Sequence, residues 1–496
     1  MKFQSTRNAS AAKVSSAFAI KQGLAADGGL FVPESIPSLT EEDIKTLCGD
    51  DYPTRAAKIL SLFLTDYTYD ELLADCKEAY REDSFVGGAA PLAKVRDGLY
   101  SLELWHGPTA AFKDMALQIM PRLLSLSLDK CGEEKDALIL VATSGDTGKA
   151  ALAGYADIPR VRIQVFYPSE GVSAIQKLQM ATQEGANVSV CAIKGNFDDA
   201  QSAVKRIFTS ADAASLVDSH GLFFSSANSI NWGRLAPQIV YYISAYCDMV
   251  KNGSVKMGAP MNVTVPTGNF GNILAAYIAK QMGLPLGKLV CASNSNNILT
   301  DFFGTGVYDR RRPFYTTISP SMDILISSNL ERLLYFALGA EKCKDLMEDL
   351  RDKGVFTVDE ATKDALAKDF VGLHCSEEDT YATIASYFKD KAYLCDPHTA
   401  VALYCADKYV KESGDTTPMV VASTASPYKF PRAVLSAMGG EVPVQDFDCV
   451  TTLEQLSGVT APVALSALRS KEVRFSAVID KAEIDEAVAS FAAKAL

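Results

Sequence analysis

Lys113 stands in the stretch LWHGPTAAFKDMALQ (residues 104–118), among Ala110, Ala111, Phe112, Met115 and Ala116. A lysine in apolar surroundings loses the hydration that favours its charged form, so its pKa falls and the neutral amine can attack a carbonyl. That is the chemistry of a Schiff-base lysine, although most lysines are solvated surface residues. Two further stretches suit anions. In VPTGNFGNILAA (265–276) a strand end meets Gly268 and Gly271 and then an apolar helix. Glycines there let the backbone approach an anion, which the free N–H groups and the helix dipole stabilise. An isolated G-x-x-G is equally an ordinary tight turn. In TSGDTGKAA (143–151), Gly148-Lys149 looks like a phosphate-binding P-loop, but Thr143 stands where the first cradle glycine belongs and Ala150 where the metal-binding hydroxyl belongs. What remains is a hydroxyl-rich helix start suited to a carboxylate or phosphate, or an N-capping turn with Ser144, Asp146 or Thr147 as the cap. Lastly, VVASTASPYKFP (420–431) ends a strand in Ser423, Thr424 and Ser426 with Lys429 beyond; such hydroxyls also serve simply to satisfy a strand end.

The elements that must position these residues follow from periodicity. Short apolar runs at 138–142, 163–167, 188–193, 261–265, 289–292 and 419–422 alternate with helical text such as 174–183 and 273–282, the pattern of βαβ units and a parallel sheet. Gly283 marks a helix stop. The leading ninety or so residues read differently: Ile59, Leu60, Leu62 and Phe63 after Pro53, then Leu72, Leu73 and Cys76, give helical spacing. The stretch KNGSVKMGAP (251–260) interrupts the α/β text. The expected fold is therefore α/β: a mainly helical module over 1–95, an α/β lobe over 96–258 carrying the lysine segment, and a second α/β lobe over 259–496, with a cleft between the lobes.

With 48 basic against 60 acidic side chains and a net charge of −12, the 496-residue chain has no electrostatic footprint for nucleic acid, and an anionic substrate would have to be held by local donors. Eleven cysteines are scattered without a C-x-x-C pair or histidines at zinc-ligand spacing, which points to reduced thiols and no metal. No apolar run approaches the roughly 20 residues that span a bilayer, and MKFQSTRNAS has no apolar signal core; a cytoplasmic protein without a membrane partner is expected.

Taken together, the segments resemble the threonine synthase family in its longer form with an N-terminal extension. The ordered matches are Ser5-Thr6-Arg7 with GLAADGGLFVP (23–33), WHGPTAAFKD (105–114), TSGDTGKAA, SANSINWGRL (226–235), PTGNFGN (266–272), CDPHTAVA (395–402) and STASPYKF (423–430), covering nearly the whole chain. The resemblance implies a two-lobed fold type II enzyme, of the tryptophan synthase β-like kind, that uses pyridoxal 5′-phosphate (PLP). Lys113 would hold the cofactor as a Schiff base, Gly268, Asn269, Phe270, Gly271 and Asn272 would cradle its phosphate, and Thr424 would meet the pyridine nitrogen. A hydroxyl there, in place of a carboxylate, tempers the ring's pull on electrons. Asp146 would lie at the cofactor edge, where related enzymes often carry asparagine; an ionised aspartate cannot donate the same bond. Ser144 and Thr147 would face the substrate, with Lys149, Asn231, Arg234 and Lys429 as candidate donors to substrate phosphate. The implied reaction turns O-phospho-L-homoserine and water into L-threonine and phosphate, in a monomer or homodimer. Two other classes share parts of the pattern: a PLP enzyme such as an amino-acid dehydratase, which would release a 2-oxo acid, and a noncatalytic phosphoamino-acid binding protein, which would not need Lys113.

Overall fold

The computed structural model describes every residue except Ser144, Gly171, Leu496 and the side chain of Phe197. The substrate-facing role expected of Ser144 therefore lies outside the described residues. The chain begins with an antiparallel pair, β1 (Phe3–Ser5) and β2 (Phe31–Pro33), and the helices Ser16–Gln22, Glu41–Gly49, Tyr52–Phe63 and Tyr69–Ala79. Local chemistry starts these helices. Thr40 with Asp43, and Thr68 with Glu71, form reciprocal capping boxes, and Asp51 caps the helix that has Pro53 in its first turn. The spacing at 59–63 then buries Ile59, Leu60 and Phe63, and the Phe63 ring lies 5.5 Å from that of Trp232. The helical module thereby packs on the long helix Trp232–Lys251.

From there the chain passes between two sheets. β3 (Leu92–Arg96) and β4 (Leu99–Glu103) open the larger one as an antiparallel edge. The chain then crosses to the smaller sheet for β5 (Asp136–Ala142), β6 (Val161–Pro168), β7 (Val188–Lys194) and β8 (Leu222–Ser225). It returns for β9 (Met261–Pro266) and β10 (Leu286–Ser293), forms a separate antiparallel pair from β11 (Val307–Asp309) and β12 (Val355–Thr357), and completes the larger sheet with β13 (Phe370–His374) and β14 (Met419–Ser423). β15 (Val478–Asp480) goes back to the edge of the smaller sheet. The larger sheet runs β13-β10-β9-β14-β4-β3 and the smaller β15-β7-β6-β5-β8; every pair in them except β3-β4 is parallel. Parallel strands have helices on both faces, which is why β9 and β14 are buried along their whole length. This is a two-lobed fold type II architecture with a helical N-terminal module.

All six apolar runs expected to be strands lie within β5, β6, β7, β9, β10 and β14. The segments 96–258 and 259–496 are interleaved: β4 pairs with β14, and β15 pairs with β7. No helix among the described residues is long and apolar enough to cross a membrane.

Candidate active site

The C-terminal ends of parallel strands are where α/β sheets bind ligands. Here the ends of β5, β9 and β14 open onto one cleft of about 640 Å³, lined from both lobes by Phe112, Lys113, Thr143, Thr147, Arg234, residues 266–272 and Thr424, among others. Gln22, Gly23 and Leu24 of the N-terminal module also line it.

Lys113 heads the short helix Asp114–Leu117 in a loop laced to the end of β14. Phe112 N–H donates to the Thr424 carbonyl at 2.8 Å, Ser426 N–H to the Ala110 carbonyl at 3.1 Å, and Leu104 N–H to the Ser423 carbonyl at 2.9 Å. The loop is closed on itself by Asp114, whose carboxylate accepts from Thr109 N–H at 2.8 Å and Thr109 Oγ1 at 2.7 Å. Burial brings the Lys113 pKa down to about 8; the nearby Asp146 charge opposes this, while Lys429 and Arg234 reinforce it. A fraction of neutral amine near neutrality is what attack on a carbonyl requires.

The turn after β9 is made of neutral groups whose arrangement could seat an anion. Ser327 Oγ donates to the Gly268 carbonyl at 2.6 Å, and Asn329 donates to the Asn269 carbonyl from its backbone N–H at 3.0 Å and from Nδ2 at 3.2 Å. With the carbonyls held from behind, the N–H groups of residues 268–272 have no protein acceptor among the described residues. Phe270 adopts a left-handed conformation, φ 63°, uncommon for a bulky residue; its ring packs against the stacked pair Phe303 and Phe370. A Cβ at Gly268 would come within 2.6 Å of the Ser321 carbonyl oxygen, so the close approach needs glycine. Asn272 Oδ1 accepts from the hydroxyls of Tyr241 (2.7 Å) and Tyr242 (2.5 Å), leaving its buried Nδ2 without a partner.

The turn after β5 is built on charge. Neither Asp146 nor Thr147 caps its helix, contrary to the capping alternative read from sequence; Gly145 occupies that position, and Thr143 Oγ1 accepts from the N–H groups of Gly145 and Gly148. Thr143, the residue after β5, thus takes the capping bonds and leaves the Asp146 carboxylate to other partners. Asp146 Oδ1 lies 2.9 Å from Lys149 Nζ and 2.8 Å from Lys429 Nζ, and Gln176 Nε2 donates to it at 3.2 Å. The Lys429 approach is an ion pair without hydrogen-bond alignment. Burial alone would raise the Asp146 pKa, but Lys149, Lys429 and Lys113 outweigh it and hold the carboxyl well below its usual range. It is ionised and donates nothing. Lys149 also donates to Gln179 Oε1 at 2.6 Å. Asp146, Lys149 and Lys429 form a buried cluster behind the cleft wall, whereas Thr147 is on the wall.

Arg234 lies on the cleft, buried, with Nη1 donating to the Ala227 carbonyl at 2.6 Å and Nε unpartnered. Its burial lowers its pKa to about 10. Asn231 has structural work: Oδ1 accepts from Gly233 N–H at the start of the long helix, and Nδ2 donates to the Ile20 carbonyl of the N-terminal module, each at 2.8 Å. Sequence reasoning missed Ser327 and Asn329 because they act on backbone carbonyls from another segment. The only local signal was polar text before an apolar helix, Ser327-Ser328-Asn329 ahead of Leu330–Leu338.

Comparison with known proteins bears directly on this arrangement. Three family models match in succession: threonine synthase N terminus over residues 2–80, pyridoxal-phosphate dependent enzyme over 88–425, and threonine synthase, C-terminal, over 399–488. Human threonine synthase-like 1 is 42% identical over 444 residues, covering 86% of this chain; the chain spans 58% of that relative's length. Threonine synthase of Pseudomonas aeruginosa is 39% identical over 430 residues, covering 85% of this chain and 87% of its own. The crystal structure of PLP-bound threonine synthase from Brucella melitensis matches with a TM-score of 0.89 at 36% identity, with both chains covered in full. On sequence, domain order and fold alike, this chain belongs to the threonine synthase family of pyridoxal-phosphate-dependent enzymes.

Proposed function

We propose that the chain converts O-phospho-L-homoserine and water to L-threonine and inorganic phosphate, with PLP held at Lys113. The observation that carries this reading is the half-buried lysine on the cleft, its pKa brought down to about 8, set between a neutral turn and an arginine with no ion-pair partner among the described residues. That gives two separate anion seats, one for a cofactor phosphate and one for a substrate anion. PLP fits the residues present. Residues 268–272 offer unclaimed N–H groups, Asn272 Nδ2 is buried without a partner, and Gly268 allows an approach that a side chain would block.

The roles follow from these properties. Lys113 Nζ holds the cofactor carbonyl and is the base that takes and returns protons at the substrate Cα and Cβ. Bound PLP supplies an electron sink for the negative charge released when a substrate proton leaves. Residues 268–272 bind the cofactor phosphate through backbone N–H groups and the start of the helix Gly271–Gln281. The Thr424 hydroxyl meets the ring nitrogen. Arg234, with Nε free and no carboxylate in ion-pair contact among the described residues, binds the substrate phosphate, and Thr147 faces the substrate from the same wall. Lys149 and Lys429 act from behind that wall by holding the Asp146 carboxylate in place.

The test is to incubate PLP-loaded protein with O-phospho-L-homoserine and identify products by NMR. Threonine and phosphate in equal amounts are expected. Phosphate with 2-oxobutanoate would move the reaction to the dehydratase class, and substrate binding without turnover would make the chain a binding protein.

A further inference from the structure

We infer that Arg332 is a positioning residue that locks the N-terminal module, the loop before Trp232 and the turn 267–272 into one unit, so that the module is part of the cofactor seat. The inference rests on the reading that this turn holds the cofactor phosphate. Arg332 is 0% exposed. Among the described residues no carboxylate lies in ion-pair contact with it, an arrangement that is costly for a guanidinium. Each edge of its fork instead meets a different part of the chain. Nε donates to the Phe31 carbonyl in β2 at 3.0 Å, Nη2 to the Ile230 carbonyl at 2.5 Å, and Nη1 to Asn329 Oδ1 at 2.5 Å, with the plane 5.8 Å from the Trp232 ring.

The bond to Asn329 carries the effect to the site. Because Oδ1 accepts from Arg332, Nδ2 must face the other way, towards the Asn269 carbonyl at 3.2 Å and the Ser229 carbonyl at 3.3 Å. Asn329 N–H adds its own bond to the Asn269 carbonyl. Holding that carbonyl away from the cleft is what turns the neighbouring N–H groups into it. Glu331, the adjacent residue, is gripped from the same module: Arg7 donates to both its oxygens, at 2.8 and 2.7 Å, and Thr6 Oγ1 to one at 2.5 Å. Lysine cannot replace the planar fork, which serves three directions at once.

The test compares Arg332→Gln and Arg332→Lys with Arg55→Gln in the full-length chain. Arg55 is a buried control: it ties the module to the long helix through Ser244 and Asp248, remote from the turn. Three readouts are taken: the PLP dissociation constant, amide hydrogen exchange over residues 266–273 without PLP, and the thermal midpoint. Both Arg332 variants should weaken PLP about tenfold or more, as expected for losing a charged hydrogen bond that holds the seat. They should also speed exchange over 266–273, whereas Arg55→Gln changes neither at a comparable loss of thermal stability. Unchanged exchange, or an equal loss of PLP in Arg55→Gln, would overturn the inference. Should the Arg332 variants not fold, Arg7→Gln, which loosens Glu331 at the partly exposed end of the same chain of contacts, decides it: faster exchange over 266–273 supports the coupling and unaltered exchange refutes it. Failure of the parent to bind PLP would instead remove the proposed function and leave the exchange measurement valid.

Discussion

Two strand-to-helix turns stand at the same cleft and treat charge in opposite ways. The turn 267–272 carries no charged side chain; its carbonyls are held from behind and its N–H groups are left over. The turn 143–149 surrounds one buried carboxylate with Lys149 and Lys429 and sets Lys113 within range of its field. Neutral donors fixed in advance bind a phosphate without altering the pKa of a nearby lysine. A buried charge cluster does alter it, and Asp146 limits how far the Lys113 pKa falls. Under the proposed function, the difference separates a seat for the cofactor from a device that tunes the reacting amine.

The largest effect should come from the amine itself. Lys113→Ala is expected to lower turnover by at least about 10²–10⁴-fold, the worth of a positioned proton-transfer group, and to leave PLP exchangeable on gel filtration. Asp146→Asn strikes the charged turn. Removing the one carboxylate leaves two buried lysines unpaired, at a cost of about 3–5 kcal/mol in chemical denaturation. A variant as stable as the parent would show that Lys149 and Lys429 are not held as cations by Asp146. Gly268→Ala strikes the neutral turn: the new methyl meets the Ser321 carbonyl, and the displaced wall should cost about 1–3 kcal/mol together with weaker PLP binding in a titration.

The smallest effect is a pH dependence of the PLP-free protein. Below about pH 8 the desolvated Lys113 carries a proton at a cost to the folded state. Between there and an unfolded lysine pKa near about 10.4 the unfolded chain binds the extra proton, so stability should rise with pH by up to about 1.4 kcal/mol per unit. Denaturation curves of Lys113→Met across the same range should lack that rise.

The comparison also shows what a sequence reveals. The neutral turn was legible because its glycines and following apolar helix are contiguous, as were β9 and β14 from their unbroken apolar runs. The carbonyl-holding Ser327 and Asn329 were not, since their effect exists only once a segment some 60 residues away folds against the turn. The charged turn was half legible: Asp146, Lys149 and Lys429 were all singled out, but their mutual pairing behind the wall depends on β5 and β14 meeting across the two lobes. The edge strand β15 is three residues long and largely exposed, with too little apolar text to show a period.

Two buried lysines, Lys149 and Lys429, lie close to Lys113, so the most direct measurement is to reduce the PLP-loaded protein with borohydride and map the modified peptide by mass spectrometry. Pyridoxyl phosphate is expected on the peptide that contains Lys113 and on no other; label on Lys149 or Lys429, or none at all, would overturn the assignment of Lys113.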